Sequence, residues 1–316
     1  MNVKSLISVN NEMKGILVVF FSLIFTSLSP IVNKFLVNSF SYVDVAIFTS
    51  ILQVLFSFVL ILIQKVEISW KKFFSSIDTS FLYTIAILSM FISANNLSPI
   101  YVGFIGRFYV VFSTILSVVI LKEKIQKVEI VFIVFAILGT FLFVSKESSD
   151  KLIFIGVIFS FLYTFCFSLT NILIKFKEGK THYLASMLYN NLVATIVILS
   201  YRMFFVKIQF ATSQITFSTS ILFILSALCG FLGTFLLFYA LKFISFTFSS
   251  IIRSFSPVLV ALFSWPFFGM DLSPLNIIGC ILLFSSVVAL TVYQSSYKQR
   301  RERTKPSSIK VDETII

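Results

Sequence analysis

Ten apolar runs, each about 20 residues long and parted by short polar breaks, restrict this chain to one kind of solvent. They run approximately over 15–36, 42–64, 79–97, 100–121, 126–145, 152–174, 184–206, 217–241, 246–268 and 274–294. A helix needs about 20 residues to cross roughly 30 Å of hydrocarbon. The runs are too long, and alternate too little, for lipid-spanning strands. Composition agrees: 58% of the 316 residues are hydrophobic and 12% charged, with a mean hydropathy of +1.01. Soluble chains carry about twice that charged fraction, and water could not cover so much apolar surface. The expected fold class is an all-α membrane protein of ten transmembrane helices. The 41 Phe residues fit the bias of an AT-rich genome and carry no functional weight.

The breaks carry the orientation. With the N-terminus inside, the cytoplasmic loops hold Lys65, Lys71, Lys72, Lys122, Lys124, Lys127, Lys175, Lys177 and Lys180, followed by a basic tail from Lys298 to Lys310. The opposite side keeps Lys34, Lys146, Lys151, Arg202 and Lys207. Positive charge concentrates on the cytoplasmic side of a membrane protein, so both termini are expected inside, in a cytoplasmic (inner) membrane. The same bias accounts for most of the net charge of +12 without any nucleic acid. The tail is either a solvated flank or a contact for anionic lipid head groups. Met1–Met13 is polar and no small-residue cleavage site follows it, so the first run is expected to stay as a helix. Cys166, Cys229 and Cys280 lie inside apolar runs and His182 in a charged loop, so neither a metal site nor a cofactor is expected.

An internal repeat divides the chain. Ala94-Asn-Asn-Leu-Ser-Pro-Ile-Tyr-Val-Gly-Phe-Ile-Gly-Arg107 lies ungapped on Ala240-Leu-Lys-Phe-Ile-Ser-Phe-Thr-Phe-Ser-Ser-Ile-Ile-Arg253. Each segment leads into an apolar helix, a polar turn and a closing helix that carries Gly139 or Gly279. Upstream, Ser29–Lys34 faintly echoes Ser168–Lys175. A unit of five crossings has an odd number, so its second copy must enter the membrane inverted. Such inverted repeats place a site between the halves near the midplane. The expected divisions are 1–14 (cytoplasmic N-terminus), 15–145 (first five-helix repeat), 152–294 (second repeat) and 295–316 (basic cytoplasmic tail).

The segment Ala240-Leu-Lys-Phe-Ile-Ser, with Ile252-Arg-Ser-Phe-Ser-Pro257-Val-Leu-Val-Ala-Leu-Phe-Ser-Trp265-Pro-Phe-Phe-Gly269, resembles the penultimate-helix signature of EamA-type carriers of the drug/metabolite transporter superfamily. Leu121-Lys-Glu123-Lys-Ile is similar to the matching turn of the first half, with Lys122 where Gly is usual; in the second half Met270 stands for Glu, beside Asp271. The resemblance implies ten helices, both termini inside, and permease activity toward small metabolites.

Ionisable residues inside a membrane are costly and mark functional candidates. Arg107 and Arg253 each lie about seven residues into a span, roughly 10 Å deep, and enter from opposite faces. Paired guanidiniums suit a carboxylate or phosphate; alternatively each snorkels, or satisfies broken backbone near Gly106 and Pro257. Asn33, Asn96, Tyr109, Asn171 and Tyr239 join them as candidate substrate-binding residues, with helix–helix adhesion as the competing role. Lys34 and Asp44 lie near the same outer face and are candidates for a gate or ion pair. Pro30 and Pro257 mark hinges or ordinary kinks.

No Gly-Lys-Ser/Thr phosphate loop and no nucleophile–base–acid set occurs. The expected function is secondary transport of a small metabolite, anionic or zwitterionic, such as an amino acid, by alternating access. The expected partners are that small-molecule solute and membrane lipids, not nucleic acid; a homodimer is admissible. The alternatives are a non-transporting receptor or scaffold, and an integral-membrane enzyme acting on lipid-linked substrates. The loops at about 65–78 and 207–216 are too short to fold alone, and acidic or His residues do not cluster.

Overall fold

The apolar runs fold as helices because a helix satisfies its own backbone where no water is present. The structure, a computed structural model, describes residues 3–122, 126–144, 151–176, 182–205, 216–240, 242–244, 249, 252–253, 255–268 and 273–303, without the side chains of 3–12, 121, 144, 151–152, 175, 205 and 294–303. In chain order the helices are α1 (Val3–Ser39), α2 (Tyr42–Gln64), α3 (Trp70–Ser75), α4 (Ile77–Asn96), α5 (Pro99–Ile105) and α6 (Phe108–Leu121). The second half contributes its share after α7 (Lys127–Val144): α8 (Lys151–Phe176), α9 (Tyr183–Phe205), α10 (Phe217–Ala240), α11 (Ser256–Ser264) and α12 (Pro274–Arg303). The described residues contain no strand.

Eight spans among them are long and apolar enough to cross a membrane, one running through α5 and α6. The fifth expected span corresponds to α7, and the ninth is described through 252–253 and α11. Large apolar side chains such as Phe58, Leu62, Val119, Phe141 and Ile281 point outward, as suits a lipid solvent. Outside the spans, α3 forms where the sequence suggested only a loop; it leaves Trp70 and Phe74 exposed beside Lys71 and Lys72, the composition of an interfacial anchor.

The halves pack by one repeated scheme. The pair α1–α10 has its counterpart in α8–α4, the pair α1–α11 in α8–α6, and α2–α10 in α9–α4; α2–α9 and α7–α12 each join a helix to its own equivalent. Exchanging the halves maps each of these pairs onto another of them or onto itself. Small residues allow the closest approaches, as expected where lipid supplies no hydrophobic drive between helices. At the α7–α12 crossing, a Cβ on Gly139 would lie 2.5 Å from the Leu283 nitrogen and 2.9 Å from the Gly279 oxygen. Only glycine fits.

Candidate functional site

Both arginines sit where their helices break. Between α5 and α6 the backbone tightens into i→i+3 bonds: Arg107 N donates to Phe104 O (3.0 Å), Tyr109 N to Gly106 O (3.3 Å) and Val110 N to Arg107 O (3.0 Å). In the second half, Phe255 N donates to Ile252 O (3.3 Å) and Val258 N to Phe255 O (3.1 Å). A mid-span tightening of this kind often marks a functional hinge, and broken helices carry the binding sites of many inverted-repeat carriers. The breaks meet: Arg107 Nη1 donates to the Arg253 carbonyl at 2.9 Å. The structure therefore brings the two arginines together, with one of them bonded to backbone as the structural alternative foresaw.

One face of α8 completes the surroundings. Tyr163, Phe167 and Asn171 follow at four-residue steps, which stacks them along the helix. The Phe167 ring contacts Tyr109 (5.6 Å between centroids), Tyr163 (5.9 Å) and Tyr83 (6.4 Å). Asn171 Nδ2 donates to Phe167 O at 3.0 Å and reaches the Tyr109 hydroxyl at 3.5 Å. Ser168 Oγ donates to Tyr109 O at 3.0 Å, tying α6 to α8. Tyr163 lies within Coulombic range of both guanidiniums, and Tyr109 of Arg253. Tyr83, Arg107, Tyr163 and Arg253 lie deep in the bundle, yet each keeps intermediate accessibility.

The remaining candidates lie elsewhere. Asn33 is buried between α1 and α10, where its Oδ1 accepts from Ser226 Oγ at 2.6 Å. Asn96 Nδ2 donates to Ile92 O at 2.7 Å, at the end of α4. Tyr239 ends an aromatic ladder on α10, stacked on Phe235 (6.3 Å) and edge-on to Phe243 (5.4 Å), with Lys242 over its ring. Nearby, burial holds the His182 imidazole below its usual pKa, and the Lys242 charge adds to the effect. Asn33 joins α1 to α10, Asn96 bonds within α4, and Tyr239 stacks along α10; none of these contacts is to the arginines.

Lys34 and Asp44 do not pair. Lys34 Nζ donates to the carbonyls of Ala94 and Asn95, both at 3.0 Å. Asp44 instead lies 2.8 Å from Arg202 Nε, both side chains being almost fully buried. A buried carboxylate needs the strongest partner within reach, and α9 delivers a guanidinium there. The signal was present in the sequence: Asp44 starts one span and Arg202 ends another, which puts both on the side expected to be outside.

Two halves built from matching helix pairs, with helix breaks that meet at Arg107 and Arg253 deep in the bundle, define a multi-pass membrane protein of the drug/metabolite transporter type. The EamA-like transporter family matches residues 13–145 and again 154–292, and the chain belongs to that family. A solved crystal structure superposes with a TM-score of 0.63 at 11% identity, covering 90% of this chain and 99% of its own, which shows a shared fold. No curated protein matches the sequence.

Proposed function

We propose that this chain is a secondary transporter, not an enzyme, which carries a small anionic or zwitterionic metabolite across the cytoplasmic membrane by alternating access, with both termini inside. The observation that carries the reading is the meeting of Arg107 and Arg253 at equivalent helix breaks, deep in the bundle among polar and aromatic side chains. Guanidiniums inside a membrane bundle are costly and attract anionic groups. Tyr109, Tyr163 and Asn171 supply hydroxyl and amide groups around them. Asn33, Asn96 and Tyr239 then support the frame on which the halves rock, and the Asp44–Arg202 pair acts as an outer latch in place of Lys34–Asp44.

Reconstituted into liposomes, the protein should show saturable counterflow for at least one solute of a broad metabolite panel. Arg107→Gln and Arg253→Gln should each lower that flux by at least about tenfold, a loss of roughly 1.4 kcal/mol in transition-state or binding stabilisation, while membrane insertion is kept. Unchanged flux in both variants would remove the arginines from the substrate path.

A further inference from the structure

The sign and number of charges at the arginine pair narrow the substrate class. Guanidiniums stay protonated in proteins, so Arg107 and Arg253 bring two positive charges into one deep region, where they repel each other. No carboxylate of the described residues lies within Coulombic range of either one. Asp44 is committed to Arg202, and Glu129 accepts from the Gln126 backbone nitrogen at the start of α7. The sequence from 241 to 268, which surrounds Arg253, contains no acidic residue at all. The donors are unspent as well: Nε of Arg107 and Nε of Arg253 are both buried without a hydrogen-bond partner among the described residues. Buried N–H groups in folded proteins are paired, and buried charges are matched or costly. A zwitterion would bring an ammonium to two guanidiniums with no carboxylate to receive it.

We infer that the arginine pair takes a small dianion, an organic phosphate monoester or a dicarboxylate, with one negative charge for each guanidinium and the buried Nε donors turned to its oxygens. The inference rests on the transport reading only in calling this ligand the substrate; the binding itself stands apart from flux. Charge-assisted bonds from guanidinium to carboxylate or phosphate are short and strong, and the planar fork selects those groups over other anions. Tyr163 lies within Coulombic range of both guanidiniums and Tyr109 of Arg253, so their hydroxyls are the neighbouring donors for the same oxygens.

Succinate, succinamate and succinamide share one skeleton with two, one and no negative charges. Thermal unfolding of the detergent-purified full chain, titrated with each at constant ionic strength, reads their affinities. Glycerol 3-phosphate against glycerol, and glutamine as the zwitterion, complete the series. The expected result is that a dianion binds at least about tenfold tighter than the monoanion or the zwitterion. Arg107→Gln and Arg253→Gln should each erase that preference while monoanion binding survives, and Arg253→Lys should restore part of it. A merely structural arginine would not shift selectivity by charge. Equal response to all charge states, or glutamine binding as tightly as a dianion, overturns the inference. So does flux of some other solute with no response to any dianion. A dianion that binds without any flux leaves the inference intact and sinks the transport reading; no binding and no flux sinks both.

Discussion

At the scale of single residues, Lys122 shows how two demands meet at one position. It caps α6 at φ 56° and ψ 30°, in the left-handed region, where a side chain costs about 1–2 kcal/mol and glycine is at ease. Family relatives are expected to carry Gly there, and the backbone now supplies the reason. A lysine at that site returns something, since a cation favours a helix C-terminus and adds to the charge bias that orients the chain. Strain and charge separate cleanly in two variants. Lys122→Ala loses the charge and keeps the strain, whereas Lys122→Gly loses both. Lys122→Gly should therefore be the more stable of the two by about 1 kcal/mol, read as unfolding in mixed micelles. Equal stabilities would mean that the turn relaxes away from the left-handed conformation. The same scale shows what the sequence could reveal of the site. Arg107 and Arg253 stood out because ionisable residues are rare inside apolar spans, and the repeat aligned them. Tyr83 and Phe167 did not, because aromatic side chains are everywhere in a chain with 41 Phe and only packing selects these two.

At the scale of helices, hydropathy located elements where a charge or turn residue ends the run. The run at 42–64 coincides with α2 (Tyr42–Gln64), which Ser41 caps and Lys65 closes. The break near Gly106 stood in the sequence only as an alternative role for Arg107, because it does not end the apolar run around it. The short α3 escaped because six residues are too few for a periodic signal. Gly139 and Gly279 were visible as glycines in matching helices, yet their meeting depends on how α7 and α12 cross. That crossing has a testable rigidity. A Cβ on Gly279 would meet the Phe143 nitrogen and the Gly139 oxygen, both backbone atoms that cannot swing aside. On Gly230 it would meet the Gln53 Nε2 atom, the end of a flexible side chain. Gly279→Ala should cost about 1–3 kcal/mol through forced separation of α7 and α12, against a change within about 0.5 kcal/mol for Gly230→Ala. Thermal unfolding of the two variants in detergent decides it, and equal stability would show that the helices slide apart freely.

At the scale of the whole molecule, the halves match in packing and differ in the chemistry at their two ends. The helix pair α2–α9 joins equivalent elements, so exchanging the halves carries its outer end onto its inner one. On the orientation proposed above, the outer end is held by the buried Asp44–Arg202 pair and by an apolar cluster including Val37, Val43, Ala194 and Ile198. The inner end has the apolar Ile61, Leu184 and Leu188. In the proposed alternating access, inverted halves provide two near-equivalent arrangements open at opposite ends, and unequal end contacts would set the balance between them. Removing one member of a buried ion pair leaves the other unmatched and strongly favours states in which water reaches it. Asp44→Asn should therefore shift the population toward the arrangement open at the outer end, and each 1.4 kcal/mol of lost closure is worth about tenfold. In a background without Cys166, Cys229 and Cys280, Val37→Cys reports the outer end and Leu184→Cys the inner. With Asp44→Asn, an impermeant thiol reagent applied outside should label the first several-fold faster, and one applied inside should label the second more slowly. Opposite changes are the signature of one equilibrium shared by both ends. If both rates rise, the pair merely holds the bundle together; if neither moves, it is no latch at all.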